Sequence, residues 1–478
     1  MPRRKLVVRT AQIAAELADL RTRMEIPEGW PEEVLAEADR VARAPRLPEY
    51  DATALPLFTL DPPDSRDLDQ AMHLERRGSG YRVHYAIADV GAFVAPGGAL
   101  DGEARRRVQT LYFPDRRVPL HPPQLSEGVA SLLPGQAAPA LLWQLDLDAE
   151  GRLVRTDLRR ALVRSRRKLD YAGVQRAIDA GTADEAVALL GVIGPLREER
   201  ERERGGISLP IPEQEVEEVE HGYRLAYRAP RSADGWNAQI SLLTGMAGAE
   251  LMLDAGVGLL RTMPAAPQSA YARLRLVARA LDVPWPDGVP YSQLIRTLDP
   301  AVPAHAAFFN ECTGLLRGAG YTAFDGTVPP DPGHSAVAAP YTHCTAPLRR
   351  LADRFTGEVC AAVAADGPVP EWVREALPEL PKLMETGDRR AHEVERACVD
   401  LVESELLRGR EGELFDGVVV DVDERKPLHG TVQLRLPAVR ARISDARPDA
   451  PPLPLGRRIR VRLTVADPST RTVRFAPA

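Results

Sequence analysis

The sequence predicts a mixed α+β chain with a short helical N-terminal element and a small C-terminal β-barrel. Three observations carry that expectation. Helical and strand periodicities interleave over residues 51–410. Residues 412–478 switch to short alternating apolar runs punctuated by Gly and Pro. The length, 478 residues, exceeds what one ordinary core supports. The expected division is a helical arm over 1–50, a mixed domain over 51–410 carrying the chemistry, and a barrel over 411–478.

The arm holds two helices. Thr10 can cap the first, in which Ile13, Leu17 and Leu20 share a face. The second starts at Trp30-Pro31, with Pro in its first turn and two Glu behind it. The pair reads either as a reduced helix-turn-helix or as a packing arm. Strands are expected at Leu55–Leu60 and at Tyr81–Ala88, and a helix over Leu100–Gln109. Leu141–Leu147 and Leu153–Leu158 pair across the turn Asp148-Ala-Glu-Gly. Helical patterns fill Tyr171–Arg204, Ala238–Leu253, Tyr271–Leu281, Ala304–Leu316, Leu348–Ala364 and Pro381–Arg408. Ile240–Leu260 is the most apolar long segment. Glu250 and Asp254 interrupt it, so it predicts a core helix and no membrane span. Beyond residue 412, FDGVVVDV, TVQLRL, RIRVRLTV and TVRF predict a five-stranded barrel of the OB kind.

Net charge is −6, so a nucleic-acid partner would need locally concentrated positive charge. Residues 412–478 hold 12 Arg plus Lys against 8 Asp plus Glu, a net +4, which leaves −10 on the rest. That segregation favours an RNA-binding barrel over a merely solvated basic face. Arg abundance itself fits GC-rich coding, because Lys occurs only at Lys5, Lys168, Lys382 and Lys426. Cys312, Cys344, Cys360 and Cys398 form no metal-ligand spacing and read as reduced thiols of a cytoplasmic protein. MPRRKLVVRTAQ lacks the apolar stretch of a signal peptide. Nothing suggests oligomerisation, so a monomer is expected.

The strongest local signal is FTLDPPDSRDLDQAM, Phe58 to Met72. An apolar strand runs into Asp61, and Asp64, Asp67 and Asp69 follow. Pro62-Pro63 stiffens the turn. The spacing does not fit an EF-hand, which needs alternating acids followed by Gly. Clustered carboxylates repel unless a cation compensates, and hard oxygen ligands suit Mg²⁺ or Mn²⁺. A solvated acidic turn is the alternative.

This loop resembles the I-D-x-x-x-(A/S)-x-D-x-D-D motif of the ribonuclease II / ribonuclease R (RNB) family. Four further blocks follow in family order: AIADVGAFV (Ala86–Val94), LDGEARRRVQTLYFPDRRVPLHPPQLSEGVASLLPG (Leu100–Gly135), GHSAVAAPYTHCTAPLRRLAD (Gly333–Asp353) and HEVERAC (His392–Cys398). The resemblance implies an RNB catalytic domain followed by an OB-fold RNA-binding domain. It implies hydrolytic, processive 3′-to-5′ degradation of RNA to nucleoside 5′-monophosphates. The expected partner is the 3′ end of single-stranded RNA. Asp61, Asp67 and Asp69 would hold Mg²⁺, with Mn²⁺ as the alternative ion and Gln70 at the fourth ligand position. Asp69 and Arg349 would be catalytic, the guanidinium serving the charge of the transition state. Tyr112 would stack on a base, which is sequence-tolerant. Glu395 would accept from a sugar 2′-hydroxyl, a contact that helps select RNA. Arg105–Arg107, Arg116-Arg117 and Arg164–Lys168 are candidate phosphate contacts, with solvated surface as the default.

The chain departs from the pattern in three ways. Gln70 replaces a second consecutive Asp, which predicts weaker metal affinity and a shift toward Mn²⁺. The helix NAQISLLTGMAGAELM lacks the family's paired glutamates, and Ala346 stands where Ser is usual. About 50 residues precede the catalytic block, too few for the N-terminal cold-shock domains, which predicts a more open entrance. Two competing readings are a non-catalytic RNA-binding relative with a weakened metal site and a nuclease acting on DNA.

Overall fold

The computed structural model describes residues 6–7, 11–211, 213–219, 222–423, 425–434, 437, 439–447 and 449–478. The expected cap Thr10 lies outside the described residues.

The mixed fold contains two closed five-stranded barrels. The C-terminal one has the order Leu414–Asp423, Lys426–Leu434, Arg440–Ser444, Thr472–Pro477, Arg458–Asp467, in agreement with the barrel expected there. The other was not anticipated. Its strands are Leu57–Leu60, Gln70–Arg77, Gly80–Ala88, Ala137–Leu147 and Leu153–Leu169, closed by parallel pairing of the first with the last. Phe58, Met72, Tyr85, Trp143 and Leu158 form one cross-strand row, and all join the largest hydrophobic cluster. The neighbouring row, Ala71, Ala86 and Leu142, joins a second cluster. Both faces are therefore buried. A strand in that position shows no clean apolar–polar alternation.

Helices cover this barrel. Tyr171–Arg204 is two helices, Tyr171–Asp179 and Glu185–Arg204. Asp170 and Asp184 cap them by accepting from Gly173 and Val187 N–H groups. The apolar stretch Ile240–Leu260 is not one helix. Ser232–Ala255 ends at Gly256, whose left-handed φ of 70° turns the chain into the strand Val257–Thr262. Likewise the helix expected from Leu348 begins only at Leu351. Among the described residues no helix is long and apolar enough to cross a membrane.

The two N-terminal helices, Ala11–Arg23 and Glu32–Arg43, enter different clusters. Ile13, Leu17 and Leu20 pack with Leu111, Phe113 and the long helix Leu380–Leu407, whereas Val34, Ala38 and Val41 pack on the barrel. The four cysteines are buried thiols.

Candidate active site

The acidic loop joins the first two strands of the N-terminal barrel. The strand Leu57–Leu60 delivers Asp61, whose N–H donates to Leu169 O at 3.1 Å. Gln70 opens the next strand opposite Ile87. Ala88 N–H donates to Asp69 O at 2.9 Å, pinning the loop's far end. Lys168 holds the middle, its ammonium donating to Ser65 O at 2.6 Å and also to Pro63 O. No sequence motif marks that lysine for this task.

Asp61, Asp67, Asp69 and Arg349 converge. Burial pushes the Asp61 carboxyl up to about 7; the Asp67 charge adds to this, while Lys168 and Arg349 oppose it. Asp61 Oδ2 is buried without a hydrogen-bond partner. Asp67 is also raised, chiefly by burial, against the pull of Arg117. Asp69 is raised well above the carboxylate range by burial, against the pull of Arg349 and of the Leu348 N–H. That N–H donates to Asp69 Oδ1 at 2.8 Å. Arg349 Nε lies 3.8 Å from Asp69 Oδ2, and its side chain keeps 36% exposure. Burial is the main cause of each rise, and the Asp67 charge adds to it at Asp61 and at Asp69.

The donor chemistry suits a hard divalent cation, and the orphaned Asp61 oxygen is a ligand atom without a partner. The set is not assembled, however. Among the described residues no group of three His, Cys, Asp or Glu side chains is placed to hold an ion. Asp67 instead forms an ion pair with Arg117, which also reaches Glu127 at 2.9 Å. Gln70 donates its side-chain amide to Thr345 O, tying the barrel to the loop that carries Arg349. A carboxylate there could not make that bond.

The Arg349 loop is sewn to the Tyr112 ribbon. Thr110 N–H donates to Arg349 O at 3.0 Å, and Gln109 bridges Arg350. Leu351 N–H donates to Val108 O at 2.9 Å. Val108 has φ 67°, a costly conformation for a β-branched residue, and it aims the following residues at that loop. In the ribbon, Leu111–Tyr112 pairs with Arg117–Val118, so Tyr112 sits opposite the arginine that reaches Asp67. Tyr112 is 44% exposed, while Leu111 and Phe113 are buried. Glu395 is half-buried on the long helix Leu380–Leu407, which packs against the ribbon.

Several of the remaining arginines already have carboxylate partners. Arg105, Arg106 and Arg107 pair with Asp101 and Glu103 of their own helix. Arg107 is buried over the Trp30 ring, its guanidinium 3.6 Å from the centroid. Arg116 faces Glu28, and Arg167 pairs with Asp184. Two phenols that the motifs did not single out lie within electrostatic reach of Asp61. They are Tyr85, bonded to Ser241 at 2.8 Å, and Tyr171, bonded to Asn237 at 3.2 Å.

Comparison with known proteins agrees with this architecture. The RNB domain profile matches residues 49–363, and the RNase II-type exonuclease C-terminal S1 domain matches residues 413–478. Ribonuclease R of Escherichia coli K12 is 27% identical over 451 residues, covering 86% of this chain and 53% of that protein. The chain thus spans about half the length of that curated relative. The apo form of Mycoplasma genitalium RNase R superposes with a TM-score of 0.82 at 19% identity, covering 97% of this chain and 78% of that one. Yeast Ssd1, a pseudonuclease, superposes at 0.63 with 18% identity, covering 85% of this chain and 51% of that one. With two thirds of its length matched by the RNB domain and a C-terminal S1 domain of the RNase II type behind it, the chain belongs to the RNB family of exoribonucleases.

Proposed function

We propose that the chain is a hydrolytic, processive 3′-to-5′ exoribonuclease that degrades single-stranded RNA to nucleoside 5′-monophosphates. The convergence of partly buried Asp61 and Asp67 and buried Asp69 on the partly exposed Arg349 carries this reading. Mycoplasma genitalium RNase R, of the same fold, has been solved with ribose methylated single-stranded RNA. We take the division 1–50, 51–410 and 411–478 as the functional one, with the last segment holding RNA through its net positive charge.

RNB nucleases are in general divalent-metal dependent. Asp61, Asp67 and Asp69 would hold the cation, Mg²⁺ or Mn²⁺, with Gln70 beside them. When bound, such an ion supplies an ionised water and stabilises the leaving oxygen. The chain's own residues do the rest. Tyr112 stacks under a base near the 3′ end and Glu395 accepts from a 2′-hydroxyl, so the last phosphate is presented to Arg349. Water oxygen bonds to phosphorus, the P–O3′ bond breaks, and the departing 3′ oxygen takes a proton. Arg349 donates to the phosphoryl oxygens as their charge grows, and Asp69 sets its approach. Arg117, anchored also by Glu127, pairs with Asp67 Oδ1 and would orient that carboxylate toward a cation.

One reading competes. Asp67 held by Arg117 and Gln70 held by Thr345 also suit an RNA-binding relative without catalysis, and the fold includes the pseudonuclease Ssd1. The deciding experiment incubates 5′- and 3′-labelled RNA and DNA oligomers with Mg²⁺ or Mn²⁺, beside Asp69→Asn. The expected result is stepwise monophosphate release from RNA alone, lost in the variant. Tight RNA binding with no release under either metal would establish the competing reading.

A further inference from the structure

We infer that the N-terminal helix Ala11–Arg23 sets the grip on the RNA 3′ end, with Arg21 as the positioning residue that aims Tyr112 and Glu395. The inference rests on the exoribonuclease reading above. One hydrophobic cluster contains Ile13, Leu17 and Leu20 of this helix. It also contains Leu111, Phe113 and Val118 of the Tyr112 ribbon, and Val394 and Cys398 beside Glu395. The helix therefore packs on both jaws at once. Strand alternation then requires that Leu111 and Phe113 point into this cluster while Tyr112 points away from it.

Arg21 converts that packing into a directed constraint. Its side chain is only 2% exposed. One guanidinium nitrogen donates to both oxygens of Asp115 at 2.8 and 3.0 Å, and another forms a contact with Glu28. The same group lies 5.3 Å from the Phe113 ring centroid. Asp115 sits in the tip of the ribbon, which Phe113 N–H closes by donating to Arg116 O at 2.8 Å. The helix's own end is tied to the second jaw, because Arg390 donates to Glu25 O at 2.8 Å. A buried guanidinium satisfied by charge-assisted bonds fixes orientation, and severing it leaves buried charge behind. Without Arg21, the tip and the flanking tyrosine lose the anchor on the side away from the site.

The test uses the full chain carrying Arg21→Met, Tyr112→Ala and both together. Binding of a 5′-fluorescein single-stranded oligoribonucleotide is read by anisotropy in EDTA. KM, kcat and limit-product length are read with Mg²⁺. Arg21→Met should weaken RNA binding and raise KM about five- to hundredfold, the range expected for one lost stacking contact. It should lengthen the limit product and leave kcat within about twofold. In the Tyr112→Ala background it should add no further loss, because both act through one contact. Arg21→Lys, which keeps the charge but not the fork, should restore only part of the affinity. Val34→Ala, in the other cluster, should lower thermal stability without moving KM. If Arg21→Met does not fold, Asp115→Asn cuts the same bridge from its less buried side and should give the same pattern. Multiplicative effects of Arg21→Met and Tyr112→Ala, or an unchanged KM in a destabilised Arg21→Met, overturn the inference. A wild type that neither binds nor degrades RNA instead removes the exoribonuclease reading, and the inference with it.

Discussion

Replacing Arg349 by Ala separates a catalytic guanidinium from a structural one. Its Nε stands 3.8 Å from Asp69 Oδ2. The Coulomb energy at that distance is about 4 kcal/mol at an effective dielectric of 20 and about 1 kcal/mol in water. The side chain is 36% exposed, so solvent screening places the ground-state pair near the lower figure. Folding stability should therefore fall by no more than about 1 kcal/mol. The reacting phosphate gains negative charge in the transition state, and losing a preorganised donor there costs roughly 3–4 kcal/mol, a factor of about 10² to 10³ in rate. The assay pairs single-turnover release of the 3′ nucleotide from labelled RNA with urea unfolding of the same preparation. Arg349→Lys should recover little, because an ammonium lacks the two-pronged geometry. A rate loss below tenfold, or a loss of stability that accounts for the rate loss, would refute the assignment.

Gln70→Asp removes the donor to Thr345 O and adds charge beside carboxyls that burial already raises. Metal-free stability should drop by about 1–3 kcal/mol and recover with Mg²⁺; coincident thermal melts for both proteins at every Mg²⁺ concentration would disprove this. Lys168→Met frees the Pro63 and Ser65 carbonyls and should lower kcat about tenfold while exposing the 61–69 loop to protease, whereas an unaltered cleavage pattern would rule out the brace. Glu16, beside Glu405 and Arg408, is held up at about 7 by burial and by sharing a hydrogen bond with Glu405. A carboxyl raised on folding contributes stability in full below its unfolded value, and that contribution is lost as pH rises through the folded one. Melting temperature should thus decline between about pH 4.5 and pH 7, and Glu16→Gln should flatten that slope.

Much of the candidate site was legible because its residues are local in the chain. Asp61, Asp67 and Asp69 fall within nine residues, and a strand running into an acidic, proline-stiffened turn needs no tertiary knowledge to be noticed. The C-terminal barrel was legible for a similar reason: in a strand such as Arg458–Asp467 one face meets water, so apolar and polar residues alternate. Four strands of the N-terminal barrel were also legible; the strand QAMHLERR was not, because residues on both of its faces are buried, nor was the closure, which pairs Leu57–Leu60 with residues more than a hundred positions away. The helical stretch to Leu260 was overextended because a buried helix and a buried strand have the same composition. Only the turn at Gly256 separates them.

Only the tertiary structure decided where charge is compensated. Sequence spacing could nominate Arg105–Arg107 as a phosphate path, but it could not show that all three pair with Asp101 and Glu103 or that Arg107 is buried. It could not show that Lys168 braces the acidic loop, that Arg117 holds Asp67, or that Gln70 reaches Thr345 across 275 positions. Nor could it show that Arg21 and Asp115 meet from 94 residues apart. Residue types and their local order name the reactive groups. The pairing of a buried charge depends on which distant segment displaces its water, and that is a property of packing.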